Sequence, residues 1–222
     1  MKVTTDGCLF GGWLADEIKN GDRSTHLLDV GTGTGLLSFM IAQNNPELMI
    51  DAIEIDAEAF KQANENNLVS PWHDRINIIH NDLRYFSTDK SYDIIVSNPP
   101  FYENELNAAS RKKNIAHHSS EFSFDDLIKL IKTSLNPSGS FYILMPYKRK
   151  TEIKKSLESH HLSISREVYV RQSVHHDFFR IMIAGKKEKQ LHPEKSEISI
   201  WNGNQQYTNE FVKYLKEYYL YL

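Results

Sequence analysis

A regular alternation of short apolar runs with helical patterns constrains the fold of this chain more than any other feature. The runs are apolar along most of their length, which is typical of strands that are covered on both faces. They occupy residues 26–31, 49–54, 75–80, 92–97 and 141–145. Helical patterns separate them, as at Ala57–Leu68. Strands and helices that alternate at this spacing predict βαβ units and a parallel sheet.

The pattern changes in the last third of the chain. Residues 162–170 and 178–184 are predicted to be two strands, close enough for an antiparallel hairpin. Helices are predicted at 123–135, 148–160 and 208–222, and a turn at 136–139. Ser123 and Asp126 form a capping box at the start of the first of these helices. Five parallel strands and a hairpin predict a seven-stranded α/β sheet, mostly parallel with an antiparallel last strand and helices on both faces.

Two of the predicted helices have one face of distinct character. The final helix would present one apolar face to the body of the protein, formed by Phe211, Leu215, Tyr218, Tyr219 and Leu222. Lys154 and Lys155 are expected on a solvated face of the helix at 148–160.

The length of the chain suits one domain with a full core. Its 222 residues are 40% apolar and 25% charged, close to the globular average, and we expect a single domain over residues 1–222. The one cysteine, Cys8, is expected to be a small buried side chain. The absence of other cysteines, of an apolar run near ~20 residues and of an apolar signal core favours a cytoplasmic protein with no membrane partner. We also expect a monomer.

Charge is divided unevenly along the sequence. The totals are 26 Lys and Arg against 29 Asp and Glu, a net charge of −3, which excludes a uniformly basic nucleic-acid coat. Residues 1–110 hold 7 basic and 17 acidic residues (7 − 17 = −10), whereas residues 111–222 hold 19 and 12 (19 − 12 = +7). Such a split indicates an anionic partner for the second half. The alternative is a chance distribution of solvated charge, which the counts alone favour.

A glycine-rich loop follows the first predicted strand. It contains Asp29, Gly31, Gly33 and Gly35, with one residue between successive glycines. Glycine allows positive φ and close approach of a ligand at the sheet edge where open α/β folds bind ligands. Dinucleotide sites use a different spacing and place a pyrophosphate on the following helix. S-adenosylmethionine has no phosphate, and an acid before the glycines suits its ammonium group.

Carboxylates follow the next two strands. Glu54 can accept hydrogen bonds from ribose hydroxyls, a device that nicotinamide and adenosyl sites share. Asp56 lies past the strand and is expected to cap the next helix. Asp82 is placed to bind an adenine amine, although an ordinary turn carboxylate is the alternative. Together with the glycine loop, Glu54 and Asp82 predict a site for S-adenosylmethionine.

The most specific motif is the tetrad Asn98-Pro99-Pro100-Phe101 at the end of the fourth strand. The prolines fix the backbone and remove two N–H donors. The Pro99 carbonyl and the Asn98 side-chain oxygen can then accept both hydrogens of one planar NH₂ group. That arrangement points the nitrogen lone pair at a methyl sulfonium, so catalysis is by orientation and electrostatics. Phe101 can stack on a planar base. A rigid strand exit is the structural alternative, and the upstream cofactor loop favours the functional one.

The order of these motifs resembles that of the Rossmann-like S-adenosylmethionine-dependent amino methyltransferases, whose seven-stranded fold matches the predicted strands. The opening from Lys2 to Gly7, followed by residues 9–13, resembles that of the bacterial methyltransferases of adenine 37 in valine tRNA. Residues 70–72, 75–76 and 207–222 are also similar to that family. The resemblance therefore spans nearly the whole chain.

This resemblance implies methyl transfer to the N6 amine of an adenine in a tRNA anticodon loop. Thr5, Asp6 and Gly7 would close over the methionine end of the cofactor, and Asn98 to Phe101 would hold the base. The target lies in a single-stranded loop, so its extrusion costs little stacking energy.

Two basic clusters are predicted to meet tRNA phosphates. The first is Arg111, Lys112 and Lys113, and the second includes Lys148 and Arg149. Both are expected at the edge of the sheet that carries the site.

The sequence motifs are compatible with other functions. A guanine amine of rRNA or a glutamine amide of a protein also offers a planar NH₂ to the tetrad. The basic second half and the lack of an extra recognition domain disfavour a protein substrate, and the lack of a target-recognition insert disfavours DNA. A non-catalytic cofactor-binding module is disfavoured by the intact tetrad.

The ten histidines do not predict a metal site. They include three adjacent pairs, whose side chains diverge on a strand, and they have no thiolate partners. We therefore expect no metal.

Overall fold

A single eight-stranded sheet organises the computed structural model, which describes residues 3–20, 25–100 and 123–222. Its strands are β1 (His26–Val30), β2 (Met49–Glu54), β3 (Ile76–His80), β4 (Tyr92–Ser97), β5 (Leu135–Pro146), β6 (Ser163–Ser173), β7 (Phe178–Lys186) and β8 (Glu194–Trp201). Their order across the sheet is β3-β2-β1-β4-β5-β7-β6-β8. The numbers reverse direction at β1 and β4, so a crevice opens beyond the carboxyl ends of these two strands.

Helices cover both faces of this sheet. In the described residues they are α1 (Thr5–Asn20), α2 (Leu36–Asn44), α3 (Ala57–Leu68), α4 (Phe124–Ser134), α5 (Lys150–Ser159) and α6 (Asn209–Leu215), with a 3₁₀ turn at Tyr147–Arg149. Apolar side chains that alternate along the strands form two cores. One core packs against α1, α2 and α6, and the other against α4 and α5. Burial on both faces explains the continuous apolar runs in the sequence.

Strand directions confirm the predicted fold class. The first five strands pair in parallel, and β7 is antiparallel to both β5 and β6. The predicted hairpin of β6 and β7 is therefore confirmed. The predicted number of seven strands is too low, because β8 adds an eighth strand parallel to β6. The first four of the eight residues of β8 are exposed and none of them is apolar, which leaves little apolar signal in its sequence.

Three local predictions are wrong in detail. The turn predicted at 136–139 lies inside β5 as an irregularity, where Asn136 donates a 2.6 Å hydrogen bond to Asp93. Ser123 begins α4, but its side chain makes no capping hydrogen bond to the described residues. The last helix ends at Leu215 instead of continuing to Leu222, which is 43% exposed.

The predicted apolar face of the last helix is confirmed at Phe211 and Leu215, and the predicted burial of Cys8 is confirmed as well. Phe211 and Leu215 are buried, and Tyr218 anchors the chain end by donating a 2.9 Å hydrogen bond to the Met40 carbonyl. Cys8 is buried in α1, as expected. Within the described ranges, no helix has the length and apolar character needed to cross a membrane.

Candidate active site

The carboxyl ends of the central strands bring the predicted site residues to one edge of the sheet. In the register of the sheet, Val30 at the end of β1 lies opposite Ile53 in β2 and Ser97 in β4. The glycine loop, Glu54 and Asn98 continue from these positions. The structure thus brings together at one edge the predicted cofactor loop and the tetrad that would hold the acceptor.

Backbone geometry explains the glycines of the loop. Gly31, Gly33 and Gly35 all have positive φ, at 73°, 62° and 89°. A Cβ atom on Gly35 would lie 2.5 Å from Phe39, whereas one on Gly31 would meet no described atom within 4 Å. Gly31 therefore needs glycine for its backbone conformation, and the space above it is open among the described residues. That space fits a cofactor that lies against the backbone.

Glu54 fastens the glycine loop to the end of β2. It is 6% exposed. Its Oε2 accepts a 2.7 Å hydrogen bond from the Gly33 amide, and its Oε1 accepts from the amides of Ile55 and Asp56 at 3.0 and 2.9 Å. A carboxylate offers about four acceptor positions, so a ribose hydroxyl can still bind. The predicted ribose contact stays a prediction, and the loop contact is an additional role that the sequence did not reveal.

Asp29 is enclosed beneath the same loop. Its side chain is 0% exposed, and Oδ2 accepts hydrogen bonds from the hydroxyls of Thr32 at 2.6 Å and Ser38 at 2.7 Å. Burial raises the pKa of Asp29 to about 6, although both hydrogen bonds act in the opposite direction. Oδ1 is buried and has no hydrogen-bond partner among the described residues. A buried acceptor with spare capacity is consistent with the predicted attraction of an ammonium group.

The N-terminal motif lies against the tetrad. Thr4 caps the start of α1 by accepting a 3.3 Å hydrogen bond from the Gly7 amide. A Cβ atom on Gly7 would lie 3.4 Å from the Asn98 side-chain nitrogen, so the two segments touch closely. Asp6 makes a 2.7 Å ion pair with Arg180 of β7. The predicted residues Thr5 to Gly7 therefore reach the site, and their role over the methionine end stays a prediction.

Sequence analysis did not identify Arg180. Burial raises the pKa of the Asp6 carboxyl, but hydrogen bonds from Thr4 and Arg180 outweigh burial and lower it overall. The pair connects residues 174 positions apart in the chain. The sequence feature that could have indicated Arg180 is that it is the single arginine in the otherwise apolar strand at 178–184.

The tetrad leaves β4 as the sequence predicts. Ser97 donates a 2.8 Å hydrogen bond to the Val30 carbonyl, which holds the ends of β4 and β1 together. Asn98 is half-buried, Pro99 is buried and Pro100 is exposed. Phe101 lies outside the described residues. The clamp on an NH₂ group by Asn98 and Pro99 stays a prediction.

Two further carboxylates, Asp56 and Asp82, have contacts that can be compared with their predicted roles. Asp56 caps α3 by accepting a 2.8 Å hydrogen bond from the Ala59 amide, which confirms its predicted role. Asp82 binds the Arg84 guanidinium through both oxygens and accepts from the Arg84 amide at 2.9 Å. Hydrogen bonds from Arg84 hold the pKa of Asp82 below its usual value. These contacts are typical of an ordinary turn carboxylate, which was the alternative role for Asp82. Its contact with an adenine amine stays a prediction.

The basic clusters can be placed only in part. Arg111, Lys112 and Lys113 lie outside the described residues. Lys148 and Arg149 lie in the 3₁₀ turn directly after β5, at the same edge as the tetrad. Arg149 forms a 2.6 Å ion pair with Glu152. Their contact with RNA phosphates stays a prediction.

The two lysines predicted on a solvated face of α5 differ from each other. Lys155 is exposed, as expected. The prediction for Lys154 is wrong, because it pairs with the fully buried carboxylate of Glu167. Glu167 lies on β6 beneath α5, a partnership that helix periodicity alone does not indicate. In the described residues, no group of three or more His, Cys, Asp or Glu side chains could hold a metal ion.

Comparison with known proteins defines first the class and then the family. Residues 12–169 match the methyltransferase small domain. The chain is 39% identical to a tRNA1(Val) (adenine(37)-N6)-methyltransferase of Dyadobacter fermentans, over 86% of this chain and 78% of the relative. It is 34% identical to the protein of that name in Parabacteroides distasonis, over 99% of this chain and 91% of the relative. The chain belongs to this S-adenosylmethionine-dependent methyltransferase family, so the resemblance inferred from its motifs is confirmed.

Solved structures show the same fold. A predicted O-methyltransferase from Agrobacterium tumefaciens matches with a TM-score of 0.68 at 16% identity, over 91% of each chain. At that identity the likeness concerns the fold alone, and it confirms the predicted methyltransferase architecture.

Proposed function

We propose that this protein transfers the methyl group of S-adenosylmethionine to the N6 amine of adenine 37 in tRNA1(Val). The observation that carries the proposal is the position of Asn98. It follows the strand beside the glycine loop, and its side chain lies against Gly7 of the N-terminal motif. Its side chain therefore lies against the N-terminal motif, one strand away from the glycine loop. The family relationship supplies the acceptor.

Cofactor binding is assigned to the loop and the ends of β1 to β3. The backbone of Gly31 leaves open space, Glu54 holds the loop and retains acceptor capacity, and Asp29 places a carboxylate beneath it. Asp82 would receive the adenine amine at the end of β3. The bound cofactor supplies an electrophilic methyl group. Gly31, Glu54 and Asp29 would hold the cofactor so that this group faces Asn98.

Acceptor binding is assigned to the tetrad. The side-chain oxygen of Asn98 and the carbonyl of Pro99 accept hydrogen bonds from the two hydrogens of N6. Held in this way, N6 directs its lone pair at the methyl carbon. Methyl transfer would form the N–C bond as the S–C bond breaks, and the extra proton on N6 would pass to solvent water. Because sulfur leaves as a neutral thioether, orientation and electrostatics suffice, and no strong base is required.

The RNA surface is assigned to the second half of the chain. Lys148 and Arg149 stand one strand away from the tetrad, and Arg111, Lys112 and Lys113 follow the tetrad in sequence. Contacts with phosphates fix the register of the RNA and do not read its sequence. The protein is proposed to act as a monomer in the cytoplasm, where its RNA substrate occurs.

Methyl incorporation into RNA tests this function. Labelled S-adenosylmethionine is supplied with a tRNA1(Val) transcript and with a matched transcript that carries purine at position 37. Purine lacks the exocyclic amine and otherwise preserves the ring. We expect about one methyl group per tRNA in the first transcript and none in the second. Equal labelling of both transcripts, or labelling of protein in a cell extract in place of RNA, would refute the proposal.

A further inference from the structure

Three aromatic rings meet where β5, β6 and β7 reach the carboxyl edge. Tyr147 follows β5, Tyr169 lies near the end of β6, and Phe178 begins β7. Their ring centroids are 5.7, 5.4 and 5.4 Å apart in the three pairs. Each residue is partly exposed. These three residues, the aromatic cluster, therefore present ring surface to solvent next to Lys148 and Arg149.

The register of the sheet places the aromatic cluster beside the tetrad. In the pairing of β4 with β5, Ser97 lies opposite Ile143. Asn98 is one residue past that level, and Tyr147 is four residues past Ile143 on the neighbouring strand. Adjacent strands are about 4.8 Å apart and rise about 3.3 Å per residue. The cluster thus begins one strand from Asn98 and stands about 10 Å above it. An RNA loop that delivers a base to Asn98 passes this surface.

A buried carboxylate holds the aromatic cluster in place. Glu167 is 0% exposed, accepts a hydrogen bond from the Tyr169 hydroxyl and pairs with Lys154. Burial raises the pKa of Glu167, but the hydrogen bonds from Lys154 and Tyr169 outweigh burial and lower it overall. Methyl transfer as proposed makes no use of this acid. Its contacts fix the ring of Tyr169, and a surface that is already fixed loses little entropy when it binds.

Cations cover the faces of the rings. The Lys150 ammonium lies 5.1 Å from the centroid of Tyr147 and 5.0 Å from that of Tyr169. The Arg171 guanidinium lies 5.2 Å from the centroid of Phe178 and is also paired with Glu197 at 2.9 Å. Aromatic faces interspersed with cations are typical of surfaces that bind single-stranded nucleic acid.

We propose that the aromatic cluster is a stacking surface for an unpaired nucleotide next to the target adenine. This inference rests on the proposed function, which brings an RNA loop to this edge. The base lies on the ring of Tyr147, with Phe178 packed beside it, and Lys150 leaves the ring faces to bind the adjoining phosphate. Because every base has a π face, the surface selects an unpaired loop and not a particular sequence.

Binding of a fluorescent RNA tests the stacking. The probe is an anticodon stem-loop with 2-aminopurine beside the target adenine, because stacking quenches this base. We expect the unmodified protein to quench the probe on binding. Tyr147→Leu should lose the quenching and bind about tenfold more weakly. Tyr147→Phe keeps the ring and should behave as the unmodified protein. Phe178→Leu is the second variant, for use if Tyr147→Leu does not fold.

Salt dependence separates stacking from phosphate binding. Tyr147→Leu removes no charge, so the slope of log K against log salt should stay unchanged. Lys150→Met should reduce that slope by about 0.7. The matched control is Tyr214→Leu, since Tyr214 also has a lysine over its ring, at 4.7 Å, but packs with the core on the other face of the sheet. This control should leave RNA binding unchanged.

The outcomes distinguish this inference from the proposed function. Unchanged affinity and quenching in folded Tyr147→Leu would overturn the stacking surface, whether or not the protein methylates tRNA. An equal loss of affinity in Tyr214→Leu would also overturn it. If the unmodified protein quenches the probe but labels no tRNA, the stacking surface stands and the proposed function fails.

Discussion

The two halves of the carboxyl edge are built differently. At β1 and β2 the loop conformation depends on backbone amides and acidic side chains, as in the three amides that donate to Glu54. At β5 to β7 the same edge carries tyrosine, phenylalanine, lysine and arginine side chains. The acidic half suits a cofactor with sulfonium and ammonium charges, and the basic half suits RNA. The difference has the same sign as the balance of −10 in residues 1–110 and +7 in residues 111–222.

The boundary between these halves is Asn98, and its replacement should have the largest effect. Asn98→Ala removes one of the two acceptors that orient N6. We expect kcat to fall on the order of 10²- to 10³-fold, as when one preorganised polar group is lost elsewhere. The Kd for S-adenosylmethionine should stay nearly constant. Single-turnover methylation with saturating cofactor measures the first quantity, and calorimetry measures the second. A variant that retains the full rate would exclude the amine clamp.

On the acidic side, Glu54 should affect the cofactor and not the RNA. Glu54→Gln removes a charged acceptor that we assign to the ribose, and it disturbs the Gly33 amide contact. The expected loss is about 1.5–3 kcal/mol of cofactor binding, roughly 10- to 140-fold in Kd. Glu58→Gln on the exposed side of α3 is the control. Weaker RNA binding with unchanged cofactor binding would reverse the assignment of the two halves.

Arg180 connects the second half of the chain with the first, because it lies on β7 and pairs with Asp6 at the start of α1. Arg180→Met should lower kcat on the order of tenfold by releasing the segment that touches Asn98. Arg166→Met is a matched control. The Arg166 side chain is 33% exposed against 31% for Arg180, and it also pairs with acids, Glu17 and Glu194.

Kinetic and unfolding measurements on both arginine variants separate positioning from stability. Both changes should lower the thermal midpoint, and only Arg180→Met should lower kcat. Equal kcat losses in the two variants would mean that the Asp6–Arg180 pair has no specific role in positioning.

The smallest expected effect is a pH dependence at Asp29. Its pKa is raised to about 6, so the side chain is neutral below that pH and charged above it. If the charge attracts the ammonium group, cofactor affinity should rise between pH 5 and pH 7 and then level off. Asp29→Asn should remove this rise, and calorimetry across the range measures it. An identical pH profile in the variant would assign the rise to another group.

Much of the first half of the fold was predictable because its elements are local. The bounds of β2, α3 and β4 follow directly from apolar runs and helical periodicity, and the cap at Asp56 follows from its position. The residues that we predict to bind the cofactor lie at or just after the carboxyl ends of β1, β2 and β3, which the apolar runs also locate; their contacts with the cofactor stay predictions.

The elements that escaped prediction depend on distant packing. Sequence analysis predicted no helix at α1, which contains Gly11 and Gly12, and glycine costs about 1 kcal/mol in a helix. The structure explains why both positions are glycine. A Cβ on Gly11 would lie 2.6 Å from the Met40 sulfur, and one on Gly12 would collide with the Tyr214 carbonyl. The edge strand β8 and the Asp6–Arg180 pair likewise depend on segments far apart in sequence.

Mapping the methylated nucleoside is the most direct test of the proposed reaction. The tRNA1(Val) transcript is incubated with the protein and S-adenosylmethionine, cut by a base-specific nuclease and analysed by mass spectrometry. The result expected is one added methyl group in the fragment that contains position 37, released as N6-methyladenosine on full digestion. A methyl group on another nucleoside or at another position, or none in the RNA, would contradict the assignment of Asn98 and Pro99 to the adenine amine.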